Sequence, residues 1–269
     1  MTIECSQDSE LTELLAGAGL DTVDGAFAYG GGEDLVKPGL GTRRRTRIEL
    51  TDHVLYLKRY GPERFGDRWR RFITYGRSSP ASVEFGNIRA AQRCGVATMD
   101  AIAFGHEMGF GGISARRSYL VVTSVPGDAL ERCGEGFLAA HEGDDGARRL
   151  TEELARLVGT LHGAGFVHRD LYASHVFLHD SPGGMSLQLI DLARMFAPRW
   201  RRFRWRVKDL AQLKYSMPDP WVQEYWDDFL GIYLDICGGG RDRYFRAIDR
   251  KAASIRRRAE RKAKGAPER

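Results

Sequence analysis

The stretch that most constrains this chain runs from residue 147 to residue 191. Leu150, Leu154, Leu157, Val158 and Leu161 recur at the spacing of a buried helical stripe, and Gly163 and Gly165 end it. HGAGFVHRDLYASHVFLHD follows, with His168, Arg169 and Asp170 in a short polar turn between Val167 and Leu171. The apolar alternation of Leu187 and Leu189 then runs into Asp191. A long helix, a charged loop and a carboxylate at a strand end require a mixed helix and sheet fold, with the polar groups on loops held by a rigid frame.

Upstream, residues 8–20 read as a short helix with Leu11, Leu14 and Leu15 inward, and strand-like alternation fills Ala26 to Tyr60. The clearest strand is HVLYLKRYG, where Val54, Tyr56 and Lys58 share one face and Leu55, Leu57 and Arg59 the other. Arg64 to Arg77 reads as a basic, aromatic connection. Ser79-Pro80 supplies an N-cap with proline at the first helical position, and that helix runs to about Cys94, stopped by Gly95, with Glu84 in its second turn. Strands are expected around Ala97 to Gly105 and Ser118 to Val125, before Pro126-Gly127. The pattern predicts an N-terminal lobe over 1–125, with residues 1–25 as a leader before an antiparallel sheet and one helix. A mainly helical lobe is expected over 126–240 and a basic amphipathic tail over 241–269.

Composition excludes several classes. Four cysteines at 5, 94, 133 and 237 have no metal-ligand spacing and are too sparse for a disulfide framework, which points to a reducing compartment. The start, MTIECSQDSELTELL, lacks a basic segment followed by an apolar one, and no apolar run approaches the ~20 residues that span a bilayer, so a soluble, cytoplasmic protein is expected. The net charge of +5 is uneven. From Arg241 onward there are 12 Lys and Arg against 4 Asp and Glu, leaving 29 − 32 = −3 for residues 1–240.

The charged loop carries the chemistry. His168-Arg169-Asp170-Leu171, three residues, then His175 follows the protein-kinase pattern H-R-D-L-x-x-x-N, with histidine in place of the final asparagine. Lys58, Glu84, Asp170, His175 and Asp191 stand in the order of kinase parts: strand lysine, helix glutamate, catalytic aspartate and two metal ligands. In such a set Lys58 binds ATP phosphates and is held by Glu84, Asp170 is the catalytic base, and Asp191 with His175 takes Mg²⁺. An imidazole is a softer ligand than an amide carbonyl, so Asp191 is the better magnesium ligand of the two. His168 is expected to anchor the loop.

HxxGFVHRDLYxxHVFL, with VLYLKRYG, SVEFGNIRAAQRCGV and KDLAQLKYS, resembles the lipopolysaccharide kinase family, the WaaP-like Kdo and heptose kinases of the protein-kinase-like superfamily. The resemblance covers roughly Ala26 to Tyr233, and the histidine at the asparagine position is a feature of that family. It implies a two-lobed α+β protein-kinase-like fold and an ATP-dependent phosphotransferase that phosphorylates a heptose or Kdo hydroxyl of the lipopolysaccharide inner core. It also implies that Asp209 supports the catalytic-loop backbone. The family carries an Arg- and Thr-rich turn where protein kinases have glycines, and KPGLGTRRRTRIEL, with only Gly39 and Gly41, makes Arg44, Arg45 and Arg47 candidates for phosphate contact. Adenine would pair with the backbone around Ser124 and Val125. A protein kinase, or a kinase-like scaffold with an anionic partner, is the alternative.

Two basic segments remain. Between Leu192 and Lys208 lie seven basic residues, no acidic ones, and four aromatics. Their position after Asp191 favours an anionic sugar acceptor over nucleic acid, with Arg199, Trp200, Arg201 and Arg202 as candidates. The tail has Phe245, Ile248, Ala252, Ile255 and Ala259 on one stripe among cations. It fits peripheral contact with the inner face of the cytoplasmic membrane, or a solvated terminus. His53, His106, His141, His162 and His179 read as ordinary polar or packing residues.

Overall fold

The computed structural model describes residues 2–5, 9–35, 43–109 and 115–264. Gly39 and Gly41 lie outside the described residues. The chain divides into two compact units, Met1–Gln92 with Thr98–Val125, and Arg93–Ala97 with Pro126–Arg269.

The first unit is built on a six-stranded antiparallel sheet in the order β1-β5-β6-β4-β3-β2. Its strands are β1 (Thr2–Cys5), β2 (Glu33–Asp34), β3 (Arg43–Leu50), β4 (His53–Tyr60), β5 (Ala101–Met108) and β6 (Ala115–Thr123). Period-two alternation gives the sheet two different faces. Leu55 and Leu57 of β4 and Ile48 of β3 enter a cluster with Leu11, Leu15, Leu20, Val23 and Ala26, contributed by α1 (Ser9–Gly17), α2 (Val23–Ala28) and the turn between them. Each leucine, isoleucine or valine among them gains roughly 1.5–3 kcal/mol on burial. Residues 1–25 are therefore not a leader ahead of the lobe: β1 pairs with β5, and α1 and α2 cover one face of the sheet.

Lys58 faces the other way, toward α4 (Pro80–Arg93). The start of α4 is closed reciprocally. The Ser82 amide donates to Ser79 Oγ at 3.0 Å, and the Ser79 amide donates to Ser82 Oγ at 2.8 Å. The expected connection over Arg64 to Arg77 is instead a helix, α3 (Phe65–Tyr75). Buried Arg71 ties it down through Glu63 at 2.6 Å, while Phe65, Trp69 and Ile73 stay exposed. Among the described residues the unit thus has α2 and α3 besides the two helices expected over 8–20 and from Ser79 onward, and α3 was hidden because it turns its apolar residues outward.

The second unit is mainly helical, with α5 (Leu130–Ala140), α6 (Gly146–Gly163), α7 (Arg202–Ser216), α8 (Asp219–Cys237) and α9 (Arg241–Lys264). A small antiparallel sheet, β7 (Asp128–Ala129), β8 (Val176–Ser181) and β9 (Gly184–Leu189), frames the charged loop. The Leu150-to-Leu161 stripe of α6 is buried against α8, which supplies Trp221, Trp226, Phe229, Leu230 and Tyr233. A Cβ at Gly159 would lie 2.8 Å from the tip of the Ile236 side chain and 3.2 Å from its Cβ, so glycine lets Ile236 of α8 pack directly on α6. The basic tail packs as well: Tyr244 and Ile248 of α9 are buried, and α9 lies along α7. Phe245, Ile255 and Ala259 remain partly or wholly exposed.

Candidate active site

In the first unit Lys58 Nζ donates to Glu84 Oε1 at 2.5 Å, and Tyr60 Oη donates to Glu84 Oε2 at 2.5 Å. Glu84 is 1% exposed, so both carboxylate oxygens are satisfied inside the protein. Tyr60 lies two residues beyond Lys58 on the same strand face, a contact that the sequence reading missed although period two places it there.

Arg45 stands directly opposite Lys58 in the β3–β4 register and shares its face. Arg47 shares it too, and pairs with Glu49 at 2.6 Å. Arg44 is opposite Arg59 and belongs to the other face, so it does not join them. The Ser124 amide donates to Val54 O at 2.9 Å, which takes that N–H out of any adenine contact.

The second unit holds the loop from His168 to His175. Asp209, near the middle of α7, accepts the His168 amide at 2.7 Å and the Arg169 amide at 2.8 Å. His162 at the end of α6 lies between Asp209 Oδ2 (3.4 Å) and Tyr233 Oη (2.9 Å), and all three side chains are fully buried. His162 therefore belongs to the loop's buried support rather than to general packing. Its partners come from helices distant in sequence, which no local pattern reveals. His168 Nε2 bonds Ile190 O at 3.0 Å. Burial pushes the His168 ring below the ordinary histidine range, against the opposing pull of Asp209, so the ring stays neutral.

Arg169 and Asp191 both adopt left-handed backbone, with φ of 73° and 59°. Such residues cost roughly 1–3 kcal/mol each and persist where their surroundings impose them. For Arg169 the surroundings are Asp209 beneath and two aromatic rings around the guanidinium group, Phe196 at 5.3 Å and Trp205 at 5.4 Å.

His175 uses Nδ1 on the Asp170 carbonyl at 2.7 Å, which leaves Nε2 3.9 Å from Asp191 Oδ2. Among the described residues no group of three or more His, Cys, Asp or Glu forms a metal cluster. Asp191 with His175 offers two groups that could hold an ion only if its other ligands came from phosphate and water.

Asp170 does not stand free. Arg194 Nη1 donates to both of its oxygens, at 3.0 and 2.8 Å, and Lys208 Nζ lies 3.9 Å away. Lys208 also donates to the Arg169 carbonyl and to Gln212, and burial pushes its pKa down despite Asp209 and Asp170. Neither cation was singled out from sequence, since only the tertiary fold brings them to the loop. The acceptor candidates Arg199, Trp200, Arg201 and Arg202 are exposed around the start of α7, Trp200 at 82%. None of them reaches Asp170 within the described contacts.

Comparisons with known proteins give the family. The model of the lipopolysaccharide kinase (Kdo/WaaP) family matches residues 39–233. The chain belongs to that family. The lipopolysaccharide core heptose(I) kinase WaaP of Pseudomonas aeruginosa is 37% identical over 186 residues, 66% of this chain and 68% of the relative. WaaP of Escherichia coli K12 is 30% identical over 183 residues, with the same coverage. A solved structure of WaaP in complex with acyl carrier protein superposes with a TM-score of 0.69 at 26% identity, covering 97% of this chain and 99% of that one. The fold is thus α+β and protein-kinase-like, and family membership carries the reaction class, phosphoryl transfer to a sugar hydroxyl.

Proposed function

We propose that this protein transfers the γ-phosphate of ATP to a heptose hydroxyl of the lipopolysaccharide inner core, with Mg²⁺ bound at Asp191 and His175. The observation that carries the reading is Asp170 on a loop braced by Asp209, with Asp191 and His175 beside it, in a chain 37% identical to a core heptose kinase.

Phosphoryl transfer spreads charge over three oxygens, so the protein acts mainly by alignment and electrostatic stabilisation. Lys58 holds the α- and β-phosphates, and Glu84 and Tyr60 fix its ammonium group. Arg45 and Arg47, on the same sheet face, add phosphate contacts. With the Ser124 amide committed to Val54, adenine recognition falls to the Ser124 carbonyl and the Val125 amide. The magnesium ion, when bound, neutralises phosphate charge. Asp170 orients the acceptor hydroxyl and takes its proton. That hydroxyl must first displace Arg194, which then sits beside the transferring group. His168, Asp209 and His162 are positioning residues. Arg199, Trp200, Arg201 and Arg202 remain acceptor candidates at the entry of α7.

Peripheral membrane contact belongs to this reading. Among the described residues no helix is long and apolar enough to cross a bilayer. α3 carries exposed Phe65 (72%), Trp69 (52%) and Ile73 (67%) among Arg64, Arg68 and Arg70, the make-up of an interfacial helix on an anionic surface. It suits that contact better than α9, whose first half is packed on α7. Because a WaaP structure contains acyl carrier protein, we carry that partner over as well, and co-purification tests it.

The direct test of the reaction incubates the protein with labelled ATP and fractionated lipid, protein and sugar extracts. Label in the core-sugar fraction is expected. Label confined to protein would replace this reading with a protein kinase. No label, together with no thermal stabilisation by millimolar ATP and Mg²⁺, would favour a scaffold.

A further inference from the structure

A cavity of about 560 Å³ opens between α7 and α9, beside the catalytic loop. From α7 it takes Arg204, Trp205 and Lys208, from α9 Arg250 and Lys251, and from the loops Arg169 and Arg194. Six cations surround this space, and no carboxylate lines it. Among the described residues, the carboxylate paired with any of the six is Asp170, through Arg194 and Lys208. Arg169 Nε is buried without a hydrogen-bond partner.

The spacing is not that of a generally solvated surface. Ala247, Arg250, Lys251 and Ser254 fall on one face of α9 at i, i+3, i+4 and i+7, so two small residues leave room between the cations. Tyr244 and Ile248 fasten the first half of the helix to the core and hold that face in place. Cations gathered in a concave, partly buried site repel one another, and an anion is what relieves them. Arg194 bonds the Asp170 carboxylate and Lys208 lies 3.9 Å from it, so an anion bound here lies within a sugar's reach of Asp170.

We propose that this cavity binds an anionic group of the acceptor, a phosphate monoester or a sugar carboxylate, and so sets which hydroxyl reaches Asp170. Trp205 supplies an aromatic wall for the attached ring. The inference rests on the kinase reading above. It gives α9 a role in the site in place of the tail role expected from sequence. An anionic membrane surface is the competing occupant, and the position of Arg194 and Lys208 on Asp170 favours the acceptor.

The test compares wild type with R250A/K251A and with R204A, using deacylated core oligosaccharide before and after removal of its phosphates. The acceptor KM of the variants is expected to rise by about tenfold or more, each lost charge-assisted contact being large enough for that. The KM for ATP and the melting temperature stay at wild-type values, and R250K restores most of the affinity. If the rise disappears on the dephosphorylated acceptor, the bound group is a phosphate. If it persists, the group is a carboxylate. An unchanged acceptor KM on both substrates overturns the proposal, as does loss of sedimentation with phosphatidylglycerol vesicles while acceptor KM is unchanged. Titration of the same oligosaccharide without ATP separates this failure from failure of the kinase reading. Binding weakened in the variants supports the cavity even without turnover, and equal or absent binding contradicts it.

Discussion

The two sides of the catalytic loop are built on opposite principles. Beneath it, Asp209, His162, His168 and Tyr233 are fully buried, and backbone groups and neighbouring side chains take up their polar atoms, apart from His168 Nδ1. Above it, Asp170 is a quarter exposed and faces Arg194 and Lys208, with further cations beyond. A buried polar network is stable only when its members find partners, and it then specifies one geometry. A partly buried cluster of like charges does not stabilise the fold and favours recognition of an anion. The lower side should therefore govern folding, and the upper side turnover.

The largest expected effect is on the upper side. Asp170→Ala should reduce phosphoryl transfer by about 10²–10⁴-fold, the usual contribution of a positioned acid or base, with an unchanged urea midpoint. A variant that loses activity only because it unfolds would break the contrast. Asp209→Ala should do the reverse in kind. It strips two loop amides and His162 of their acceptor and should cost on the order of 3–5 kcal/mol in urea denaturation, since each unsatisfied buried group costs about 1–3 kcal/mol. A loss well under 1 kcal/mol would show that the loop does not depend on this support. Tyr233→Phe removes a single partner of His162 and should cost roughly 1 kcal/mol by the same measurement.

The smallest effect concerns pH. His141, at the end of α5, is held above the ordinary histidine range by Asp144 at 2.8 Å and Asp180 at 3.2 Å. A raised folded pKa means that its contribution is fully present below the unfolded value of about 6.5 and is lost as pH rises through the folded value. His141→Asn should therefore lower the denaturation midpoint slightly at pH 5.5 and leave it unchanged at pH 9. Equal differences at both values would mean that the pairing is not charge-assisted. His168, neutral in its buried place, marks the opposite regime.

What could be read from the sequence follows the range of each interaction. The α6 stripe, the Ser79 cap and the strand carrying Lys58 are local patterns, and they sit where periodicity places them. The Lys58 contact with Glu84 joins two such elements and needs little more. The partners of Asp170 and Asp209 are different, because Arg194, Lys208, His162 and Tyr233 meet the loop only through tertiary packing. The N-terminal leucines and the buried residues of α9 showed apolar stripes without showing what those stripes cover. α3 escaped notice for the opposite reason, since its apolar residues point to solvent and its arginine anchors it.

The central claim is that Asp170 serves phosphoryl transfer to a core sugar. Phosphorus NMR and mass spectrometry of core oligosaccharide, after incubation with the protein, ATP and Mg²⁺, test it most directly. A new phosphate monoester on a heptose is predicted with wild type and none with Asp170→Ala. An unmodified oligosaccharide with wild type, or the same product from both proteins, would contradict the account.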